Sequence, residues 1–178
     1  MRAFSAGDSP AFGQLIRRHQ ETVFRVVRRY ARSADEARDL TQRAFLQALE
    51  ASERAPLSSD VPFKAWVLRI AINLGKNHVR DVVKRTELSA GEGLGPKVTL
   101  ADEAFEKAEE EALTRRAVLA LPTRQREVFM LRIDAGLPFA EVATTLGITE
   151  GNAKAHFHHA VKRLKEEVAK LSTPGGTP

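Results

Sequence analysis

The sequence predicts an all-α protein, two helical domains joined by a flexible linker, with a helix-turn-helix in the second. Three observations carry this. Apolar residues recur at spacings of three and four along most of the chain, and no stretch alternates as a strand does. An aperiodic segment, Thr86 to Thr99, holds Gly91, Gly93, Gly95 and Pro96 and divides the chain. Near the C-terminal end, a short helix, a glycine-containing turn and a capped helix follow one another.

The first helix opens on Ser9 and Pro10, a capping residue followed by proline in the first turn. Phe12, Leu15, Ile16, His19, Val23, Val26, Val27 and Tyr30 keep helical spacing to about Arg32. Ser33 caps the second helix, and Glu36 completes a capping box. Its buried stripe is Ala37, Leu40, Thr41, Ala44, Phe45, Ala48 and Leu49. Ser52 to Val61, with Pro56, Ser58, Ser59 and Asp60, has no period and is expected to be a loop. The third helix starts near Pro62, with Phe63, Trp66, Val67, Ile70, Ala71 and Leu74 inward and Trp66 as a core anchor. These helices can bury one another, so residues 1–85 make a first domain, 86–101 the linker and 102–171 the second domain. The tail 172–178 is expected to be disordered.

In the second domain a helix from Asp102 ends at Pro122, with Phe105, Ala108, Ala112, Arg116, Leu119 and Ala120 along one face. Helices then follow at Thr123–Ala135, Phe139–Leu146 and Glu150–Leu171. Gly147-Ile148 makes the tight turn and Thr149 the cap of the last helix. Ala153, Phe157, Ala160, Leu164 and Val168 face inward, leaving Lys154, Ala155, His158, His159 and Lys162 for base edges and phosphates.

Composition narrows the class. The 178 residues are 43% hydrophobic, enough to bury a core, and contain no cysteine, which excludes disulfides and thiolate metal sites. No run of eighteen apolar residues occurs, and the first ten residues lack the apolar centre of a signal peptide, so a soluble, cytoplasmic protein without membrane insertion is expected. Residues 1–85 carry 16 Lys and Arg against 9 Asp and Glu, residues 86–121 carry 4 against 8, and residues 122–178 carry 8 against 6. Two basic segments flank an acidic one, the balance expected if both ends meet phosphate.

Residues 119–165 resemble region four of bacterial sigma factors, through Leu119-Ala-Leu-Pro-Thr-Arg-Gln-Arg-Glu-Val-Phe-Met-Leu-Arg132, Gly136-Leu-Pro-Phe-Ala-Glu-Val-Ala143 and Leu146-Gly-Ile-Thr-Glu-Gly-Asn-Ala-Lys154. Asp39-Leu40-Thr41-Gln42-Arg43-Ala44-Phe45-Leu46 resembles the polymerase-binding helix of region two. Phe63-Lys64-Ala65-Trp66-Val67-Leu68-Arg69-Ile70-Ala71-Ile72-Asn73 resembles its promoter-melting helix. The short chain, without signs of regions one and three, points to the extracytoplasmic-function subgroup. The resemblance implies a dissociable subunit that binds core RNA polymerase and directs initiation at specific promoters. It implies no catalytic residues, cofactor or metal of its own, and an anti-sigma factor as a further partner.

The residues follow from that alignment. Asp35, Asp39, Gln42 and Leu46 line one outward stripe, and with Leu40 and Phe45 they are the expected polymerase contacts. Arg54, Ser58, Ser59, Asp60 and Lys64 are expected at the minus-ten element, where the family's loop captures a base flipped from the melted non-template strand. Arg69, Asn73, Lys76, Arg80 and Lys84 share one side of the third helix, as a sugar–phosphate track requires. Arg124, Asn152, Lys154, Ala155, His158, His159 and Lys162 are expected on the double-stranded minus-thirty-five element. The family often has Thr-Val-Lys-Ser-Arg in this helix. Asn152-Ala-Lys-Ala-His156 departs from it, which alters the expected promoter sequence rather than the role.

Other classes remain readable. His156 and His159 have the spacing of metal ligands on a helix, which a metal-dependent hydrolase would use, but no His-Glu-x-x-His motif accompanies them. A helix-turn-helix regulator acting without polymerase core would bind duplex DNA tightly alone. A structural helical adaptor would ignore DNA sequence.

Overall fold

The computed structural model describes residues 9–54, 61–89 and 102–171, with side chains over 10–54, 61–85 and 111–167. These residues form seven helices: α1 (Ser9–Arg28), α2 (Ala34–Arg54), α3 (Phe63–Ser89), α4 (Asp102–Ala120), α5 (Thr123–Ile133), α6 (Phe139–Leu146) and α7 (Glu150–Leu171). Ser58, Ser59 and Asp60, most of the expected linker, and the tail lie outside them.

The first lobe is α1, α2 and α3, each packed on the other two. Val23, Val26 and Val27 of α1, Ala37, Leu40, Ala44 and Ala48 of α2, and Val67, Leu68, Ala71 and Ile72 of α3 fill its centre. Ser33 caps α2, its Oγ accepting the Glu36 N–H at 3.1 Å. The Glu36 carboxylate reaches one residue further back than a capping box requires, accepting the Arg32 N–H at 2.7 Å. The α1 helix ends four residues earlier than its spacing suggested, because the chain turns at Arg29–Tyr30 and drives the Tyr30 ring inward. The loop after α2 is also shorter than expected. Ser52 is buried on the helix, its hydroxyl donating to the Leu49 carbonyl at 2.6 Å.

In the second lobe α5, α6 and α7 pack around Val128, Met130, Leu131, Leu137, Val142 and Ala153, and α4 lies against α7. Phe105 and Ala108 fall outside the described side chains. The inner face of α4 runs through Val118 and on to Leu121, both buried, whereas Arg116 and Ala120 are exposed. That corrects the expected stripe. Half-buried Arg115 lies on the seam side, donating to the Ala31 carbonyl of the first lobe at 2.6 Å. Gly147 adopts φ +64°, the left-handed conformation that lets α6 stop and α7 start within three residues.

The lobes touch. Helix α3 packs on α6, and among the described residues three ion pairs cross the seam: Arg28–Glu111 at 2.8 Å, Arg29–Asp134 at 2.9 Å and Lys76–Glu127 at 2.8 Å.

Candidate nucleic-acid interface

On α2 the core side is set by alanines and Leu40, so the opposite side carries Asp35, Asp39, Gln42 and Leu46, all exposed. Leu46 is 52% exposed, a large apolar side chain left in water beside polar neighbours. Asp35 pairs with Arg38. Leu40 and Phe45, expected as contacts, are 2% and 4% exposed. Leu40 is therefore core, supporting the stripe from beneath rather than meeting a partner. Phe45 instead forms the floor of an apolar groove of about 750 Å³ between α1 and α2, with Ile16, Phe24, Leu46 and Leu49 along it. Ile16, on the apolar stripe of α1, is half-buried and shapes the groove edge.

The basic stripe of α3 is present: Arg69, Asn73, Arg80 and Lys84 are exposed on one side. Arg80 lies 3.7 Å from Asp81, and Lys64 is half-buried at the start of the helix. Arg54 stands exposed at the end of α2, 4.0 Å from Glu50. Lys76 is different. Its side chain is two-thirds covered, and its ammonium is bonded to Glu127 of α5. Arg69, Asn73 and Lys76 share a cleft of about 410 Å³ with Thr123, Arg124 and Glu127. Thus part of the stripe expected to meet the melted strand faces the second lobe.

Glu127 was not singled out from the sequence. It is buried, and its second oxygen accepts from Arg124 at 3.0 Å. The i,i+3 spacing of Arg124 and Glu127 was the available signal; the Lys76 partner, on another lobe, left none.

On α7 the Thr149 Oγ1 accepts the Asn152 N–H at 3.2 Å, the cap read from the sequence. Ala153 and Ala160 are buried, and Phe157 packs against Phe129 and Phe139 with centroids 6.2 and 5.5 Å apart. Asn152, Lys154, Ala155, His158, His159 and Lys162 are all exposed, and Arg124 stands on α5 with its side chain half exposed. Lys154 is held by Glu150 at 2.7 Å. His158, His159 and Lys162 border a cleft of about 570 Å³ whose far wall is Ala117, Ala120 and Leu121. Arg163, which the sequence reading passed over, lines it too. Among the described residues, no group of three or more His, Asp or Glu side chains could hold a metal ion.

Two helical lobes, one with an exposed basic stripe and the other with a capped helix-turn-helix, define a DNA-binding helical protein. The description of sigma-70 region 2 matches residues 15–85, and that of sigma-70 region 4 matches residues 112–164. The chain belongs to the sigma-70 family, which comprises transcription initiation factors, and several of its relatives are named ECF RNA polymerase sigma factors. It is 28% identical to the RNA polymerase sigma-H factor of Pseudomonas aeruginosa, over 94% of this chain and 89% of that protein. It is 29% identical to the ECF RNA polymerase sigma factor SigM of Mycobacterium tuberculosis, over 97% and 85%. The fold is shared with the sigma factor RpoE from Bartonella quintana, solved with the anti-sigma factor NepR. The TM-score is 0.63 at 21% identity, over 92% of this chain and 99% of that one. Among the described residues no helix is long and apolar enough to cross a membrane.

Proposed function

We propose that the chain is a dissociable sigma subunit that binds core RNA polymerase, directs it to specific promoters and leaves once transcription is under way. The observation that carries this is the pairing, in one chain, of the two sigma-70 regions in family order. A helix-turn-helix regulator working alone would need no α2 stripe of this kind, with Leu46 half exposed above an apolar groove. That surface suits a protein partner: an apolar patch rimmed by polar groups.

The roles divide along the fold. Asp35, Asp39, Gln42 and Leu46 meet polymerase. Arg54, Lys64 and the α3 stripe meet the minus-ten element and its melted strand. Arg124 and the outer face of α7 meet the minus-thirty-five duplex. The residues 90–101 join the two functions. Phosphoryl transfer belongs to polymerase, so this chain is not an enzyme; it acts in the cytoplasm, and an anti-sigma factor is its natural regulator. Lys76 is bonded across the seam to Glu127, so its engagement with the promoter requires that the lobes part.

Transcription by core polymerase plus this protein, on a promoter library with transcript starts sequenced, tests the proposal. Enriched starts sharing two spaced elements are expected. Asp39→Arg with Gln42→Ala should abolish them while the protein remains folded; tight, polymerase-independent duplex binding by the free chain would favour the lone regulator instead.

A further inference from the structure

Arg25 and Arg28 of α1, Arg29 in the turn after it and Arg115 of α4 open on one cleft of about 520 Å³ at the seam between the lobes. Among the described residues two carboxylates, Glu111 and Asp134, line it with them. Four guanidiniums thus face two lining carboxylates there, and the Glu36 charge also acts on Arg115.

The donors are unequally used. The Arg29 fork is spent on Asp134, with bonds of 2.9, 3.1 and 3.2 Å. Arg28 bonds Glu111 and the Ala31 carbonyl. Arg115 uses only Nη1, and Arg25, exposed, has no hydrogen bond or ion pair among the described residues. A guanidinium carries five donors, so two largely unspent forks from different helices converge on this space. Burial, and then crowding by Arg28 and Arg32, hold Arg115 below its ordinary pKa, a like-charge conflict that an anion would relieve.

We propose that this cleft is a seat for a phosphate monoester of nucleotide size, which bridges α1 and α4 and holds the lobes together. Paired forks, and guanidiniums outnumbering the lining carboxylates among the described residues, suit a dianionic phosphate better than a single carboxylate. The volume exceeds what phosphate alone fills, and half-buried Phe24 on the wall offers a face for a base.

The test titrates the full chain at constant ionic strength with adenosine monophosphate, inorganic phosphate, adenosine and a short duplex, by calorimetry and thermal denaturation. Adenosine monophosphate should bind one to one and raise the melting temperature more than inorganic phosphate, with adenosine inert. Arg25→Gln changes an exposed side chain with no hydrogen bond or ion pair among the described residues, only a longer-range attraction to Asp134, so folding is spared. It should weaken the nucleotide about tenfold or more, the loss of one charged contact. Glu111→Gln removes a competing carboxylate and should tighten binding. Arg69→Ala with Lys162→Ala should weaken the duplex and leave the nucleotide unchanged. No nucleotide binding at millimolar concentration, or affinity insensitive to Arg25→Gln, overturns the proposal. So does a duplex that loses affinity in Arg25→Gln while the nucleotide shows none, since the cleft would then hold a DNA phosphate.

Discussion

Lys76 donates to the carboxylate of Glu127 at 2.8 Å, joining residues 51 apart in sequence and on different lobes. Glu127 is 4% exposed, and the same carboxylate accepts from Arg124. A cation proposed for the minus-ten strand and one proposed for the minus-thirty-five duplex are thus both bonded to one buried acid.

Glu127→Gln should loosen this seam. Lys76 and Arg124 are partly solvated and can rehydrate, so the loss is that of charged hydrogen bonds rather than of a sealed ion pair, about 1.5–3 kcal/mol. The melting temperature should fall by several degrees. Duplex affinity of the free chain should rise, because both cations are released. A drop in stability with unchanged DNA affinity would show that the pair is structural only.

Helices α6 and α7 were legible to the residue because their punctuation is local: Pro138, Gly147 and Thr149 act within one turn. The α1 terminus was not, since Tyr30 continues the apolar period while its ring leaves the helix for a pocket over α3. The face of α4 was misread for a related reason: which side is inner depends on α7 and the first lobe, not on spacing alone. Exposed charges of the candidate site were readable from helical position. Glu127 and Asp134 were not, because their meaning lies in Lys76 and Arg29, 51 and 105 residues away.

Gly75 is the counterpart of Tyr30. A Cβ there would stand 2.1 Å from the Tyr30 ring, which is 3% exposed and cannot swing into solvent. Gly75→Ala should therefore destabilise the protein by about 1–3 kcal/mol, although alanine favours a helix interior by up to about 1 kcal/mol. Urea unfolding measures the difference. A more stable variant would mean the ring has room to move.

His19 gives the first lobe a pH dependence. Burial, then the nearby positive charges of Lys64 and Arg18, lower its pKa below 6.5. The unfolded chain therefore binds the proton more readily. The stability this group contributes is present above pH 6.5 and is lost as pH falls through its lowered folded value. His19→Gln should flatten urea-derived stability across that window. An unaltered slope would assign the dependence to another group.

The recognition helix separates backbone contact from base reading by position. Lys162 is exposed three turns into α7 and has no ion pair among the described residues, so it meets phosphate without first giving up a partner. Lys154, in the first turn, must leave Glu150 at 2.7 Å to reach DNA. His158 and His159 are exposed between them, beside the cleft against α4. Lys162→Ala should weaken all promoters alike and lower the salt slope by about one unit. Glu150→Gln should strengthen binding by freeing Lys154. Replacing His158 or His159 with Ala should change the preferred upstream bases, at about 1–3 kcal/mol where a base contact is lost. Selection of a randomised upstream element by each variant holoenzyme measures all three. Unchanged sequences from both histidine variants would leave reading to Lys154, Asn152 and the shape of the groove.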